Sequence, residues 1–407
     1  MTGPDSSSHV IVVGAGLAGW RLVEALRRER YDGALTLIGD EPYAPYDRPP
    51  LSKQVLVGKW TLEHTALVKD GAVADADVSL RLGVGATGLD VENTTVALAD
   101  GTSIAGTHVV IATGSRARRL AFTAADAILS LRTRDDVTRL NGSLSQLAPA
   151  SVVAVIGGGF IGAEVATALH ARGLAPIVLE ASERPLVGVL GSEVSSWLAG
   201  LAPEYGVELR NDQRIADVVR SHEGFAVVFD DERRLEALMV VEGSGALPNV
   251  EWLSSSGLSV DNGVVVDEHL LATDHVAAIG DVARFLWPSV SGAEWVRIEH
   301  WQIAADHAAR LARYWMTGDA PVDPLIPYFW SAQYGQKIQM LGHARPSDDV
   351  TRVGVVAPDK WVAIYSRDGV VTGVVALNSP RALMLSKVLL QSSTALDDAL
   401  ARAPWAV

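Results

Sequence analysis

Two glycine clusters carry the first chemistry legible in the chain. Gly14-Ala15-Gly16-Leu17-Ala18-Gly19 and Gly157-Gly158-Gly159-Phe160-Ile161-Gly162 both spell G-x-G-x-x-G, about 140 residues apart. At this spacing the backbone can approach a pyrophosphate, whose charge then sits at a helix N-terminus. An acidic residue some twenty positions on can accept from a ribose hydroxyl. Asp40 or Glu41 fills that place in the first unit and Glu180 in the second. Two complete units imply two dinucleotides, which suits a donor and an acceptor: one a bound flavin, the other a nicotinamide. A further carboxylate, Asp281, closes the run Val276 to Gly280 and can accept from ribityl or ribose hydroxyls. It can also cap the helix that follows.

The chain has no cysteine. A disulfide scaffold, a thiolate metal site and a redox-active disulfide are thereby excluded, and redox chemistry needs a bound cofactor. The ten histidines show no HExxH or close-paired spacing, so no metal site is expected.

The elements that must hold these residues follow from the hydrophobic pattern. His9 to Val13 is a continuous apolar run, as expected of a buried parallel strand. A helix over Leu17 to Arg30 and a strand over Ala34 to Ile38 complete a βαβ unit. The second unit repeats this with a strand over Ser151 to Ile156, a helix over Ile161 to Arg172 and a strand over Ala175 to Leu179. Val109 to Gly114 is a further strand ending at a glycine turn. Trp361 to Tyr365 and Val370 to Leu377 are short strands followed by helix.

At 407 residues the chain exceeds what one core usually holds. Its formal charge of −14 argues against nucleic acid and anionic membranes as partners. No apolar run reaches membrane-spanning length. No Lys or Arg precedes Arg21, so the N-terminus is not a signal peptide, and a cytoplasmic location is the expectation.

Seven segments carry a family resemblance. They are VVGAGLAG at 12–19, YDRPPLSK at 46–53, IATGSR at 111–116, VIGGGFIGAEVA at 155–166, AIGDVARF at 278–285, RIEHW at 297–301 and YFWSAQ at 328–333. In this order they resemble the NADH-dependent ferredoxin reductases that serve haem monooxygenases and ring-hydroxylating dioxygenases. These flavoproteins belong to the glutathione-reductase-like superfamily. The resemblance implies an α/β fold with two Rossmann-like dinucleotide-binding domains and a smaller α+β C-terminal domain. Residues 1–115 and 245–322 would hold FAD, 116–244 would hold NAD, and 323–407 would follow a linker marked by Pro321, Pro324 and Pro327.

It also implies roles. Lys53, expected to begin a helix, would lie by the flavin N5, where a cation stabilises the reduced ring. Glu164, on the first turn of the NAD helix, would pair with Lys53 and contact the nicotinamide. Gly14, Gly16, Ala18, Gly19, Asp40, Glu41, Arg48, Val84, Ala112, Thr113, Gly114, Arg132, Asp281, Trp301 and Trp330 would contact FAD. Gly157, Gly159, Phe160, Ile161, Gly162, Glu180, Arg184 and Gly245 would contact NAD. The sequence departs from the pattern in two places. Gln302 and Ile303 replace a more usual polar-Asn pair. Gly188 stands where many relatives carry an Arg for the NAD phosphates or ribose, with Arg184 nearby as a substitute.

Without cysteine, the superfamily's disulfide reductases and thiol peroxidases drop out, and an NADH oxidase lacks its usual Cys. The remaining acceptor is a one-electron protein: a 2Fe-2S ferredoxin, with a rubredoxin as the alternative. A sensor resembling apoptosis-inducing factor is the non-enzymatic alternative. Residues 330–407 carry eight basic and six acidic side chains, a net +2 in a chain of −14. Lys337 and Lys387, helped by Arg310, are therefore the expected steering charges for an acidic ferredoxin.

Overall fold

A computed structural model describes residues 3–289, 292–319, 325–357 and 359–406. The chain packs as two compact units, each assembled from three separate segments. Pro321 and Pro324 of the expected linker, and the boundary at 322/323, lie outside the described residues.

The first unit comprises Met1–Asp47, Ala66–Arg116 and Leu247–Phe329. Its centre is a parallel five-stranded sheet in the order Val276–Ala278, His108–Ile111, His9–Val13, Ala34–Gly39, Val78–Leu82. Val10 to Val13 and Val109 to Ile111 are wholly buried, because both faces of the sheet are covered. The helices Leu17–Arg28 and Trp301–Thr317 pack against each other and bury Leu22, Leu26, Ala308 and Leu311 in the same core. Each of these leucines removed from water contributes roughly 1.5–3 kcal/mol before the entropy of ordering it. The first helix stops two residues short of the expected Arg30, which takes a left-handed φ of 68° and turns the chain.

The second unit comprises Arg48–Thr65, Ala117–Ala246 and Trp330–Val407. It repeats the parallel sheet in the order Glu208–Arg210, Ala175–Leu179, Val152–Ile156, Met239–Glu242, Leu129–Ser130. The last segment forms a five-stranded sheet, Tyr328–Gln333, Gln336–Gly342, Val370–Leu377, Lys360–Arg367, Asp349–Ala357, followed by short helices.

Two anchors join that sheet to the helix Val187–Leu198. This helix breaks at Gly191, whose φ of +73° and ψ of 171° are non-helical. A Cβ there would sit 2.6 Å from the Pro346 carbonyl oxygen. At the break, the buried Tyr365 hydroxyl donates to the Leu190 carbonyl at 2.7 Å. Nearly two turns on, the Arg352 guanidinium lies over the rings of both Trp197 and Trp361, 5.1 and 5.3 Å from their centroids. Packing thus groups 330–407 and 48–65 with 117–246, whereas the boundaries drawn from sequence follow the cofactor motifs.

Lys53 sits mid-way along a single π-helical turn, Leu51–Val55, rather than opening a regular helix. Such turns are short and frequently mark functional positions. This one buries Leu51, Ser52 and Val55. Behind it, Arg172 donates to the Leu56 carbonyl at 3.0 Å and to Asn141 Oδ1 at 2.5 Å.

Candidate functional sites

In the first unit the strand His9–Val13 delivers Gly14 into the helix Leu17–Arg28. Gly14 has φ +122°, and a Cβ there would meet the Ala112 carbonyl oxygen at 2.1 Å. A Cβ on Gly19 would meet the Gly14 carbonyl oxygen at the same distance. Packing therefore explains both of these glycines. Gly16 is different. It is extended, with φ −92° and ψ −161°, and nothing lies within 4 Å of where its Cβ would be. The helix it caps has no side-chain cap and no acidic residue in its first turn. A Cβ at Gly16 would fill the approach to that helix N-terminus, the space a pyrophosphate needs. The residues present fit a dinucleotide.

The surrounding side chains follow from the strand ends. Thr113 Oγ1 donates to the Asn249 carbonyl and Asn249 Nδ2 donates to the Thr113 carbonyl, both at 2.8 Å, which holds the Ala112-Thr113-Gly114 turn. Ser115 donates to Asp281 at 3.2 Å. Asp40 is exposed beyond the end of its strand. Glu41 instead accepts from the Tyr46 hydroxyl at 2.6 Å. Val84 donates its N–H to the Gly39 carbonyl at 3.0 Å. Ala18 is buried where a Cβ on Gly280 would meet it at 2.9 Å. Trp301 opens its helix and donates from Nε1 to Asp47 Oδ1 at 2.7 Å. Arg310 lies half-buried on the same helix.

The second unit repeats the cradle. A Cβ on Gly162 would meet the Gly157 carbonyl oxygen at 1.9 Å, and one on Gly157 would meet the Gly243 carbonyl oxygen at 2.5 Å. Gly159 is again extended and open, with nothing within 4 Å of its Cβ direction. Phe160 begins the helix and the apolar Ile161 is exposed. Glu180 directly follows its strand and accepts from the Gly158 and Ser182 N–H groups at 2.7 and 2.8 Å. Arg184 pairs with Glu183 at 3.2 Å on the surface, and Gly188 is exposed. Gly245, at φ +107°, accepts from the Arg118 N–H at 2.9 Å.

The same unit holds a buried ionic cluster. Glu164 is 3% exposed. It is the fifth residue of the helix Phe160–Ala171, beyond the first turn where the sequence put it. There its side chain serves tertiary contacts rather than the helix terminus. Glu164 Oε2 accepts from Lys53 Nζ at 2.7 Å and Ser52 Oγ at 2.5 Å. Oε1 accepts from Ser331 Oγ at 2.7 Å and the Ala332 N–H at 3.3 Å. Lys53 also donates to the Pro49 carbonyl at 3.2 Å. A buried ion pair is costly to desolvate, and the additional donors on both oxygens offset that cost. Arg48 donates to the Arg132 carbonyl at 3.1 Å, and Trp330 stands half-buried beside Ser331 in its strand. Lys337 is exposed and Lys387 half-buried.

The structure thus gathers Lys53, Glu164, Arg48, Arg132, Trp330 and the second glycine cradle in one unit. It gathers the first cradle, Asp40, Val84, Asp281 and Trp301 in the other. Sequence reasoning missed Ser52, Ser331, Asn249 and Tyr46. Ser52 lies inside a quoted motif, so its place beside Lys53 was available. Ser331 meets Glu164 across 167 residues, a separation that carries no spacing signal. Among the described residues no three His, Asp or Glu side chains converge as a metal site would require, and no helix is long and apolar enough to cross a membrane.

Two dinucleotide crossovers and a buried Lys–Glu pair in a chain without cysteine define a two-nucleotide oxidoreductase. The chain belongs to the pyridine nucleotide-disulphide oxidoreductase family, whose model matches residues 8–308, and a reductase C-terminal model matches 328–405. It is 34% identical over 397 residues to the ferredoxin reductase component of chlorobenzene dioxygenase from Cupriavidus sp. (strain PS12), covering 97% of this chain and 95% of that one. It is 33% identical over 406 residues to the ferredoxin–NAD(+) reductase subunit of the benzene 1,2-dioxygenase system of Pseudomonas putida, covering 96% and 94%. Its fold matches a chain of the covalent putidaredoxin reductase–putidaredoxin complex with TM-score 0.90 and 31% identity, over 98% of this chain and 99% of that one. An NADH:rubredoxin oxidoreductase from Clostridium acetobutylicum, at 21% identity and TM-score 0.75, shares the fold alone.

Proposed function

We propose that this chain is an NADH-dependent ferredoxin reductase: FAD takes a hydride from NADH and passes single electrons to a 2Fe-2S ferredoxin that serves an oxygenase. The observation that carries the reading is the pair of open middle glycines, Gly16 and Gly159, in a chain with no cysteine of its own. The ferredoxin reductase names of relatives matched along nearly the whole chain support ferredoxin over rubredoxin as acceptor.

The chain's own residues bind, orient and neutralise. The amides after Gly14 hold the FAD pyrophosphate, Asp40 takes the ribose and Asp281 the ribityl chain. The amides after Gly157 and the carboxylate of Glu180 hold NADH. Lys53 supplies a fixed positive charge to the flavin ring, with Glu164 and the Pro49 carbonyl holding its Nζ in place. No acid–base step is needed, since a hydride passes directly, and the residues act by placement and charge. FAD should copurify noncovalently, and NADH should drive rapid reduction of an added 2Fe-2S ferredoxin. A protein that stays colourless after FAD is added refutes the reading. Fast flavin reduction without turnover of any ferredoxin points to a sensor, and preference for a rubredoxin points to that acceptor.

Glu180 should set nucleotide choice. Its carboxylate is fixed by two backbone amides, can accept from both ribose hydroxyls and repels a 2′-phosphate. NADH should exceed NADPH in kcat/KM, and Glu180→Ala should narrow that ratio by about tenfold, the worth of one charged hydrogen bond. Equal ratios in mutant and wild type remove Glu180 from the ribose site.

Docking should be electrostatic. We place the acidic ferredoxin against Lys337 and Lys387 on the C-terminal sheet and its helices. Lys337→Glu with Lys387→Glu should lower its association rate by about tenfold and flatten its salt dependence. Reduction of a small neutral acceptor should stay unchanged. Ferredoxin turnover indifferent to both reversals and to salt moves the docking face elsewhere.

A further inference from the structure

Asp281 owes its position to a glycine turn whose backbone leaves the sheet just before it. Ile279 donates the last strand bond, 3.0 Å to the Ile111 carbonyl. Gly280 then turns with φ +71°, wedged between Ala18 and Ala304. Its N–H is buried and has left the ladder, and a buried donor needs a partner. That partner is a side chain 27 residues further on. His307 Nδ1 accepts from the Gly280 N–H at 3.3 Å.

His307 lies on the inner face of the helix Trp301–Thr317 and is 0% exposed. The edge-to-face ring of Phe285, 4.8 Å away at 83°, fixes its plane. Accepting at Nδ1 requires the tautomer with its proton on Nε2, which is buried and has no hydrogen-bond partner of its own among the described residues. Burial, reinforced by the charge of Arg310, holds the imidazole pKa down at about 3, with Asp281 opposing, so the lone pair is retained at neutral pH.

We infer that His307 is a positioning residue for FAD: its neutral Nδ1 captures the Gly280 amide and so fixes the turn that presents Asp281. This rests on the reading above that Asp281 holds the flavin's sugar chain. A leucine at 307 would fill the same space but leave the Gly280 donor buried and unpaired. An asparagine could place an acceptor near the same point.

The test compares FAD dissociation constants of the wild type with His307→Leu, His307→Asn and Asp281→Asn, alongside KM for NADH and thermal stability of the flavin-free protein. His307→Leu should weaken FAD by tenfold or more, His307→Asn should stay within about threefold of wild type, and KM for NADH should not move. If His307→Leu lowers stability yet binds FAD as the wild type does, while Asp281→Asn does not, His307 is only a core residue and the inference is overturned. If Asp281→Asn binds FAD normally, the Asp281 reading and the inference fall together. Nitrogen-15 spectra of histidine-labelled wild type need no folded variant. An unprotonated, hydrogen-bonded Nδ1 at His307 supports the inference, and a proton on Nδ1 overturns it.

Discussion

Lys53→Met should slow NADH-driven bleaching of the bound flavin by about two orders of magnitude, the usual cost of removing one fixed electrostatic contact from a reacting centre. The substitution nearly keeps the length of the side chain and removes its charge and its two hydrogen bonds. Glu164 would lose its 2.7 Å partner but keep Ser52, Ser331 and the Ala332 N–H. Breaking a buried pair from one side can cost about 3–5 kcal/mol, and the three surviving donors should hold the loss to the lower part of that range. The mutant should therefore fold, retain FAD and melt earlier. Stopped-flow flavin absorbance gives the rate and a denaturation curve gives the stability. An unaltered bleaching rate at saturating NADH removes Lys53 from the site. Ser331→Ala should act chiefly through Glu164, its shorter contact, and slow the same step less than tenfold.

The second expectation concerns acid. Two histidines of the first unit are buried as neutral rings. Burial, and then the charge of nearby His275, holds His108 down at about 4, and burial holds His307 at about 3. Unfolded, each would titrate near 6.5. Below that pH the unfolded chain binds protons that the folded chain refuses, so stability falls as pH falls. The loss is about 1.4 kcal/mol per pH unit for each ring, or roughly 5 kcal/mol for both by pH 4.5. Thermal midpoint and flavin release followed from pH 8 to 4.5 should be flat above 6.5 and then drop steeply. His108→Leu should roughly halve the slope. A slope unchanged in that mutant assigns the acid sensitivity to other groups. In the second unit Asp348 shifts in the same direction but titrates in a more acid window. Burial pushes its carboxyl up, but Arg367, the Arg345 N–H and Thr372 together pull it below the usual range. The stability it adds is lost only as pH falls through that lower range, so the first unit should fail before the second.

Local sequence carried the parts of the fold that depend on local physics. His9–Val13, Ala175–Leu179 and Val370–Leu377 appear at their expected bounds because short runs rich in β-branched and apolar residues are set between turn residues. Tyr328–Gln333 was legible as a motif but not as a strand, since its aromatic start and polar end follow no clean alternation. The π-turn at Lys53 was hidden because it depends on packing against the helix Phe160–Ala171 more than on its own residues. At the sites, glycines and acidic residues at fixed offsets announced themselves. Partners such as Ser331 and His307 did not: a hydroxyl or imidazole that meets its target only through the tertiary fold leaves no period in the sequence.

The anchoring of the last segment also limits how this enzyme could be re-engineered. Exchanging residues 330–407 with those of a relative would look like a simple way to change the electron acceptor. Such a chimaera would also replace Ser331 on Glu164, Tyr365 on the broken helix at Leu190, and Arg352 between its two tryptophans. A graft that alters acceptor choice must therefore carry those three residues with it, or the helices Phe160–Ala171 and Val187–Leu198 will be disturbed along with the exchanged surface.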